Sequence, residues 1–208
     1  MKIILASDSP RRKHLLKFLV EDFQAVSHKV AEKSFKLTDP EELVGRLAIE
    51  KAISVISDQR LASSLIIGSD LTVALGKKIM GKPKDKKEAK KFLKALSGKT
   101  HVVYCGVCVT DKNKTLMSVA ASQVKMKNYD EKIIDKYIEK FQVLDKGGAY
   151  AIQFELEGFG SLVESFKGGI TTITGLPLDH LANLLKEFGV KVKSDWREKC
   201  KIETGYEY

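Results

Sequence analysis

Apolar residues along the chain form two kinds of pattern: short continuous runs, and stretches in which they recur every three or four positions. The first pattern predicts buried strands, and the second predicts helices with one buried face. In chain order they predict a strand at residues 2–6, a helix at about 10–19, a short strand near 23–27, a helix that opens at residue 40, a strand at 64–75, a loop at 76–84 and a helix at 85–98.

The second half of the chain contains two long apolar segments, residues 101–110 and 115–127, separated by a short polar turn. They predict two strands in an antiparallel hairpin. A helix at about 130–141, a glycine-rich stretch at 147–169 and a helix at 177–188 follow, and we expect the polar tail after Lys193 to be peripheral. The mixture favours an α/β fold with a mixed sheet.

The first predicted helix has two arginines in its first turn, where the helix dipole favours acidic residues. Ser9 is a good N-cap and Pro10 a good first helical residue, so the free N–H groups of this turn point beyond the end of the first strand. Anions bind readily at such a place. Arg11, Arg12 and Ser7 suit phosphate oxygens. Ion pairing of two surface arginines is the alternative, but the strand–turn–helix context favours a phosphate site.

Two further charges break the local pattern. Lys51 lies beside the apolar stripe of its helix, where its ammonium could reach back to water or point into a cleft. Taken alone, the position favours an ammonium in water. Asp70 interrupts an apolar strand, where a carboxylate without a partner is costly. Asp70 could bind a metal or act as a general base. Pairing with a buried lysine or arginine is the alternative, and the two interpretations are compatible.

Lys82 stands before a proline that keeps it extended, which aims its side chain. Together with the arginines, Lys51 and Asp70, it predicts a cleft with several cations and at least one carboxylate. That combination is typical of phosphate-ester chemistry with a divalent cation. The sequence has no G-x-x-x-x-G-K-[ST] motif, which excludes a P-loop NTPase.

Composition and net charge limit the possible classes of protein but do not change the predicted fold or site. The 208 residues suit one domain, or one domain split into two lobes around a cleft. The formal charge of +9 is compatible with nucleic acid, anionic membranes or small phosphorylated ligands, but residues 77–94 hold nine lysines and two acids in a pattern that favours solvated faces. No apolar run approaches a membrane span, and the N-terminal run is too short for a secretory leader, so we expect a cytoplasmic protein.

The C-x-x-C of Cys105 and Cys108 lies on a predicted strand, which favours buried structural cysteines.

Several motifs occur together and in a characteristic order: LASDSPRRKHLL, RLAIEKA, IIGSD, GKPKDKKEAKKFLKALSGKTHVVYCGV, GGAYAIQ and GLPLDHL. In this combination the chain resembles the Maf family of nucleoside triphosphate pyrophosphatases, also known as septum-formation inhibitors. The resemblance implies one domain at residues 1–193 with a C-terminal tail at 194–208. It also implies a fold similar to inosine triphosphate pyrophosphatases, with a long twisted mixed β-sheet, flanking helices and two lobes around a central cleft.

The resemblance further implies hydrolysis of NTP to NMP and pyrophosphate, as house-cleaning of modified or surplus nucleotides, with a divalent cation such as Mg²⁺ or Mn²⁺. It implies a homodimer and no stable nucleic-acid complex. Positions matching the family motifs divide by implied role: substrate binding by Ser7, Arg11, Arg12, Lys51, Lys82 and Gln153, metal binding by Glu32 and Asp70, and general base catalysis by Asp70.

Base specificity stays open. Leu71 stands where the pyrimidine-specific branch commonly has threonine, and the segment after Gln153 contains an EGFG similar to the branch that acts on 7-methyl-GTP. A different class of function, a basic regulator of septum formation that binds nucleotide or nucleic acid, would account for the net charge but not for Asp70.

Overall fold

The computed structural model describes residues 2–30, 37–56, 61 and 63–204. At its centre is a mixed seven-stranded sheet with the order β2-β1-β3-β5-β6-β9, in which β4 also pairs with β3. Strand β1 runs parallel to β2 and β3, and the other pairs are antiparallel. The strands are β1 (Ile3–Leu5), β2 (Gln24–Ala25), β3 (Leu65–Leu75), β4 (Lys78–Met80), β5 (Thr100–Thr110), β6 (Thr115–Met126), β7 (Glu155–Leu156), β8 (Gly160–Ser161) and β9 (Val163–Lys167), with β7 and β8 forming a separate ribbon.

Helices flank this sheet, which confirms the predicted α/β class. They are α1 (Pro10–Leu19), α2 (Pro40–Ile56), α3 (Lys86–Leu96), α4 (Glu131–Lys140), α5 (Ile170–Thr174), α6 (Leu178–Glu187) and α7 (Trp196–Thr204). Local signals set their starts: the side chains of Asp85 and Asp130 accept hydrogen bonds from the backbone N–H groups of Glu88 and Ile133. The predicted bounds of α1 match the structure.

Helix α2 packs directly against the sheet at two glycines. A Cβ atom at Gly68 on β3 would lie 2.1 Å from the Ala48 carbonyl oxygen, and one at Gly106 on β5 would lie 2.3 Å from the Val44 carbonyl oxygen. Only glycine permits so close an approach of a helix backbone to a strand. Side chains on this face of α2 are therefore held against β3.

Most of the buried apolar residues that the structure describes belong to three clusters. One packs α1, α6 and α7 against one face of β1, β3 and β5, a second lies under α2, and the third surrounds α3 and α4 at the other end of the sheet. Strand β3 runs through all three, since Ile66 and Ile67 belong to the first two clusters and Val73 to the third. Asp70 lies at this crossing, between the two ends of the molecule.

Two expectations differ from the structure, and a stretch without a predicted element contains strands. The predicted loop at 76–84 contains β4, and the glycine-rich stretch contains β7, β8 and β9. The tail after Lys193 is not peripheral where α7 forms, because Trp196 and Cys200 are buried against α1 and α6. These two residues lie four apart on one helix face, a pattern too short to stand out in a polar segment. No helix that the structure describes is long and apolar enough to cross a membrane.

Candidate active site

A buried ion pair joins α2 to β3. The Lys51 ammonium nitrogen lies 2.5 Å from Oδ1 of Asp70, and only 1% of the Lys51 side chain and 10% of the Asp70 side chain are exposed. Asp70 shares a strand face with Gly68, where α2 lies against the sheet. Of the two possibilities for Lys51, the ammonium does not reach water, because the close packing of α2 leaves it inside.

The N-terminal end of α1 opens beside this pair. Strand β1 pairs in parallel with β3, with Leu5 opposite Ile67, so the residues after Leu5 run out next to those that precede Asp70. Ser9 caps the helix by accepting from the Arg12 backbone N–H at 3.4 Å. Ser7 is buried, and its Oγ accepts from the Ser9 backbone N–H at 3.2 Å and from Arg12 Nη1 at 3.3 Å.

A single backbone carbonyl fixes Arg12 to strand β3. The Gly175 oxygen, at the left-handed C-terminus of α5, accepts from Arg12 Nε at 2.8 Å and from Ser69 Oγ at 3.1 Å. Ser69 and Asp70 are consecutive on β3, with their side chains on opposite faces of the strand, so Arg12 and Lys51 are each fixed to neighbouring positions of β3. A cation and a carboxylate supported by buried neighbours are held in place for a ligand.

Arg11 points toward another element. Its Nη1 lies 3.8 Å from Oδ2 of Asp145, and the other oxygen of that carboxylate lies 2.5 Å from the Lys146 ammonium. Burial lowers the pKa of the Arg11 guanidinium from its ordinary value; Asp145 opposes that shift and the neighbouring Arg12 adds to it. The two arginines of the first turn thus have different partners, Gly175 for Arg12 and Asp145 for Arg11.

Lys82 is exposed, on a loop that is docked to the glycine-rich stretch. The carbonyl oxygen of Gly81 accepts a hydrogen bond from the backbone N–H of Gly148 at 3.2 Å. Pro83 after Lys82 is buried, which fits the expectation of a fixed lysine. Lys82 therefore stands where the loop after β4 meets the segment that carries Lys146.

Gln153, a further predicted residue, is not brought to the pair. Gln153 is exposed in a turn closed by the Phe154 backbone N–H, which donates to the Ala151 carbonyl at 3.1 Å. Among the described residues, no hydrogen bond joins Gln153 to the other predicted site residues. Glu32 lies outside the described residues.

The cysteines behave as structural residues. Cys105 and Cys108 are free, buried and on opposite faces of β5, with Cys105 Sγ 3.6 Å from Ser69 Oγ. Burial raises the pKa of each thiol to about 12, so neither is ionised near neutral pH. The prediction of two buried cysteines on a strand is confirmed.

Two features of the site were missed in the sequence. The Gly175 carbonyl is a backbone group, far along the chain from Arg12, and leaves no side-chain signal. The second missed feature is the charged pair Asp145–Lys146, which directly precedes two glycines. That position was the one signal in the sequence that could have identified the pair.

The acidic side chains determine how the protein could bind the divalent cation that the family resemblance implies. Among described residues, no group of three or more His, Cys, Asp or Glu side chains could hold a metal ion. Asp70 supplies one buried carboxylate. Mg²⁺ commonly binds through one or two carboxylates together with substrate phosphates and water. The donor set of the described residues therefore fits an ion that binds together with a polyphosphate, and these residues do not form a protein cage by themselves.

The geometry as a whole suits a polyanionic ligand with a hydrolysable bond. Arg11, Arg12 and the first-turn N–H groups of α1 follow the end of β1, which pairs with the strand that carries Asp70, and phosphoryl transfer uses cations together with a carboxylate. In such a site the cations would hold the phosphates and the carboxylate would face the attacking water.

Comparisons with known proteins agree with this geometry. A family model described as Maf-like protein matches residues 2–188. The chain is 43% identical to a dTTP/UTP pyrophosphatase of Dictyoglomus thermophilum, over 90% of this chain and 96% of that protein. Proteins of the same name from Thermotoga maritima and Bacillus anthracis are 41% and 38% identical, over 91% and 92% of this chain and 90% and 97% of theirs. The chain belongs to the Maf family.

Proposed function

We propose that this protein is a nucleoside triphosphate pyrophosphatase, which hydrolyses (d)NTP to (d)NMP and pyrophosphate. The observation that carries this function is the buried Lys51–Asp70 pair beside the arginine-bearing end of α1. Family membership and the names of the relatives support it. A non-enzymatic regulator of septum formation has no comparable support, since binding alone does not require a buried carboxylate.

The cations would act on the phosphates. Arg11, Arg12 and the first-turn N–H groups of α1 bind phosphate oxygens, with Lys82 approaching from the loop after β4. Negative charge that develops on the phosphates during the reaction is stabilised by groups already in position. Arg12 needs little reorganisation, because Ser7 and Gly175 hold its guanidinium.

Asp70 would act on water. Its carboxylate accepts a proton as the water oxygen bonds to the α-phosphorus, the bond from that phosphorus to the bridging oxygen of the β-phosphate breaks, and pyrophosphate leaves. Lys51 compensates the negative charge of Asp70 and fixes its orientation. A divalent cation, held by Asp70 and the substrate phosphates with Glu32 as a further candidate ligand, would neutralise phosphate charge.

Pyrimidine triphosphates are the preferred substrate class in this proposal, because the relatives above are named for dTTP and UTP. A 7-methyl-GTP substrate is the second candidate, on the ground of Leu71 and of the β7–β8 ribbon that follows Gln153. Gln153 would contact the base in either case. We also propose that the protein is a cytoplasmic homodimer. Light scattering on the purified chain tests the oligomeric state.

A nucleotide panel tests the function. The purified chain is incubated with dTTP, UTP, dCTP, GTP and 7-methyl-GTP in the presence of Mg²⁺ or Mn²⁺, and pyrophosphate and orthophosphate are measured separately. We expect pyrophosphate and a nucleoside monophosphate, with dTTP and UTP turned over fastest. Release of orthophosphate and a diphosphate would contradict the proposal, as would no turnover together with salt-sensitive binding of DNA or RNA.

A further inference from the structure

One carboxylate bridges two cations at the edge of the proposed phosphate site. Asp145 lies 2.5 Å from the Lys146 ammonium through Oδ1 and 3.8 Å from Arg11 Nη1 through Oδ2. The Asp145 side chain is 62% exposed, whereas that of Lys146 is 8% exposed. The bridge therefore joins a buried lysine to a half-buried arginine through a group that is mostly in water.

Lys146 is unusual for a lysine, because such side chains commonly extend their ammonium into solvent. Its ammonium lies 5.4 Å from the centre of the Phe154 ring, which adds a cation–π contact to the Asp145 pair. An ammonium placed in this way is expensive to bury unless an anion accompanies it.

The backbone around Lys146 is fixed. Gly148 donates to the Gly81 carbonyl next to Lys82, and a Cβ atom at Gly147 would lie 3.2 Å from Leu71, the residue after Asp70. Ala149 has a φ of +65°, a conformation that residues with a side chain rarely adopt. The segment is thus held between the Lys82 loop and strand β3, and it presents Lys146 on the side of Arg11.

We propose that Lys146 is a further phosphate-binding residue of the triphosphate site, and that Asp145 stands between Lys146 and Arg11 where a phosphate oxygen binds. This rests on the proposed function. Two cations around one anion form a site that a phosphate group can fill, and phosphate carries more charge than the carboxylate it replaces. Asp145 is exposed enough to turn away into water, where its loss of pairing costs little.

If a phosphate oxygen replaces the Asp145 carboxylate between Lys146 and Arg11, substitutions of Lys146 and Asp145 should have opposite effects on pyrophosphate binding. Lys146→Met removes a cation that holds phosphate, so pyrophosphate binds more weakly. Asp145→Asn removes the competing carboxylate, so pyrophosphate binds more tightly. A bridge with a purely structural role would give the same sign for both, because each substitution would loosen the same contact.

Calorimetric titration of the full chain with inorganic pyrophosphate and Mg²⁺ tests the exchange. We expect Lys146→Met to raise Kd by about tenfold, as for the loss of one charge-assisted hydrogen bond. Lys146→Arg keeps the charge and should stay near the wild-type Kd, and Asp145→Asn should lower Kd by about threefold as a repulsive charge is lost. Lys90→Met, which breaks an exposed lysine–aspartate pair with Asp135 between α3 and α4, serves as the matched control and should leave Kd unchanged.

An unchanged Kd in a folded Lys146→Met variant would overturn the inference, as would weaker binding by Asp145→Asn. If Lys146→Met does not fold, Asp145→Asn alone decides by the sign of its effect. Failure of the proposed function would look different, since the wild-type chain would then release no pyrophosphate from any nucleotide. Failure of this inference alone leaves wild-type turnover intact, with Lys146→Met at the wild-type KM.

Discussion

Two lysine–carboxylate pairs of this protein have nearly the same geometry and very different surroundings. Lys51 and Asp70 lie 2.5 Å apart with 1% and 10% of their side chains exposed, and Lys94 and Glu131 lie 2.6 Å apart with 67% and 56% exposed. The first pair joins α2 to β3 inside the protein, and the second joins α3 to α4 at the surface. Distance alone does not distinguish them, but burial does.

In a lysine-rich chain, burial separates the charged pairs that are candidates for chemistry from those that are solvated. Water screens the Lys94–Glu131 pair, so it contributes little and suits a solvated face. The Lys51–Asp70 pair carries the cost of removing two charges from water, a cost that packed apolar residues would avoid. That a fold keeps such a pair near the proposed phosphate-binding end of α1 favours a functional role for the two charges.

Breaking the buried pair should have the largest effect on stability. Lys51→Met leaves the Asp70 carboxylate buried without its cation, and we expect the free energy of unfolding to fall by about 3–5 kcal/mol. Urea denaturation measures it. The double variant Lys51→Met/Asp70→Leu should recover much of that loss while remaining inactive. A single variant as stable as wild type would remove the contrast between the two pairs.

His101 shows a second way of burying a titratable group, as a neutral one. Burial lowers its pKa to about 4, and its Nε2 lies 2.7 Å from the Tyr150 hydroxyl. Because the folded pKa lies below the unfolded value of about 6.5, its contribution is present above pH 6.5 and is lost as the pH falls toward 4; it amounts to about 3 kcal/mol.

Denaturation curves between pH 7 and pH 4 test this, with His101→Gln as the comparison. The wild-type protein should lose stability more steeply than the variant over that interval. Equal slopes would mean that His101 keeps an ordinary pKa in the fold.

Arg11 and Arg12 are half-buried, intermediate between the buried pair and the surface pair. The dipole of α1 repels both cations, and a bound phosphate would relieve that repulsion. Pyrophosphate with Mg²⁺ at about 100 times its Kd should stabilise the wild-type protein by about 2.7 kcal/mol and raise its Tm. Arg11→Ala/Arg12→Ala should largely abolish that rise. Arg46→Ala, which breaks an exposed pair with Glu50 on α2, is the arginine control and should keep it. An unchanged rise in the double variant would put the phosphate elsewhere.

The surface pair should show the smallest effect. Lys94→Met breaks the contact with Glu131, and we expect no measurable change in Tm or in kcat/KM, because both side chains remain hydrated. A loss of stability as large as that of Lys51→Met would show that burial is not what separates the two pairs.

Local signals explain what the sequence alone revealed. Ser9 and Pro10 set the start of α1, and Asp70 was visible because it interrupts an apolar strand. These features depend on residues close together in the chain. They predict an α/β fold, which the structure confirms, and a phosphate site at the first helix, which stays a prediction.

Contacts between distant segments explain what the sequence hid. The environment of Lys51 depends on Gly68, which lets α2 lie on the sheet, and a helix pattern by itself favours a lysine in water. The hydrogen bond from Arg12 to Gly175 spans 163 positions. The partnership of Arg11, Asp145 and Lys146 likewise needs the fold before it can be seen.

The most direct test of the active-site account is the rate of dTTP or UTP hydrolysis by Asp70→Asn, measured at a temperature where circular dichroism shows the variant folded. Asparagine keeps the shape of the side chain but cannot take the proton of the attacking water. We predict that kcat falls by about 10²- to 10⁴-fold, as for loss of a general base. Hydrolysis at the wild-type rate by the folded variant would contradict the role of Asp70 and the mechanism built on it.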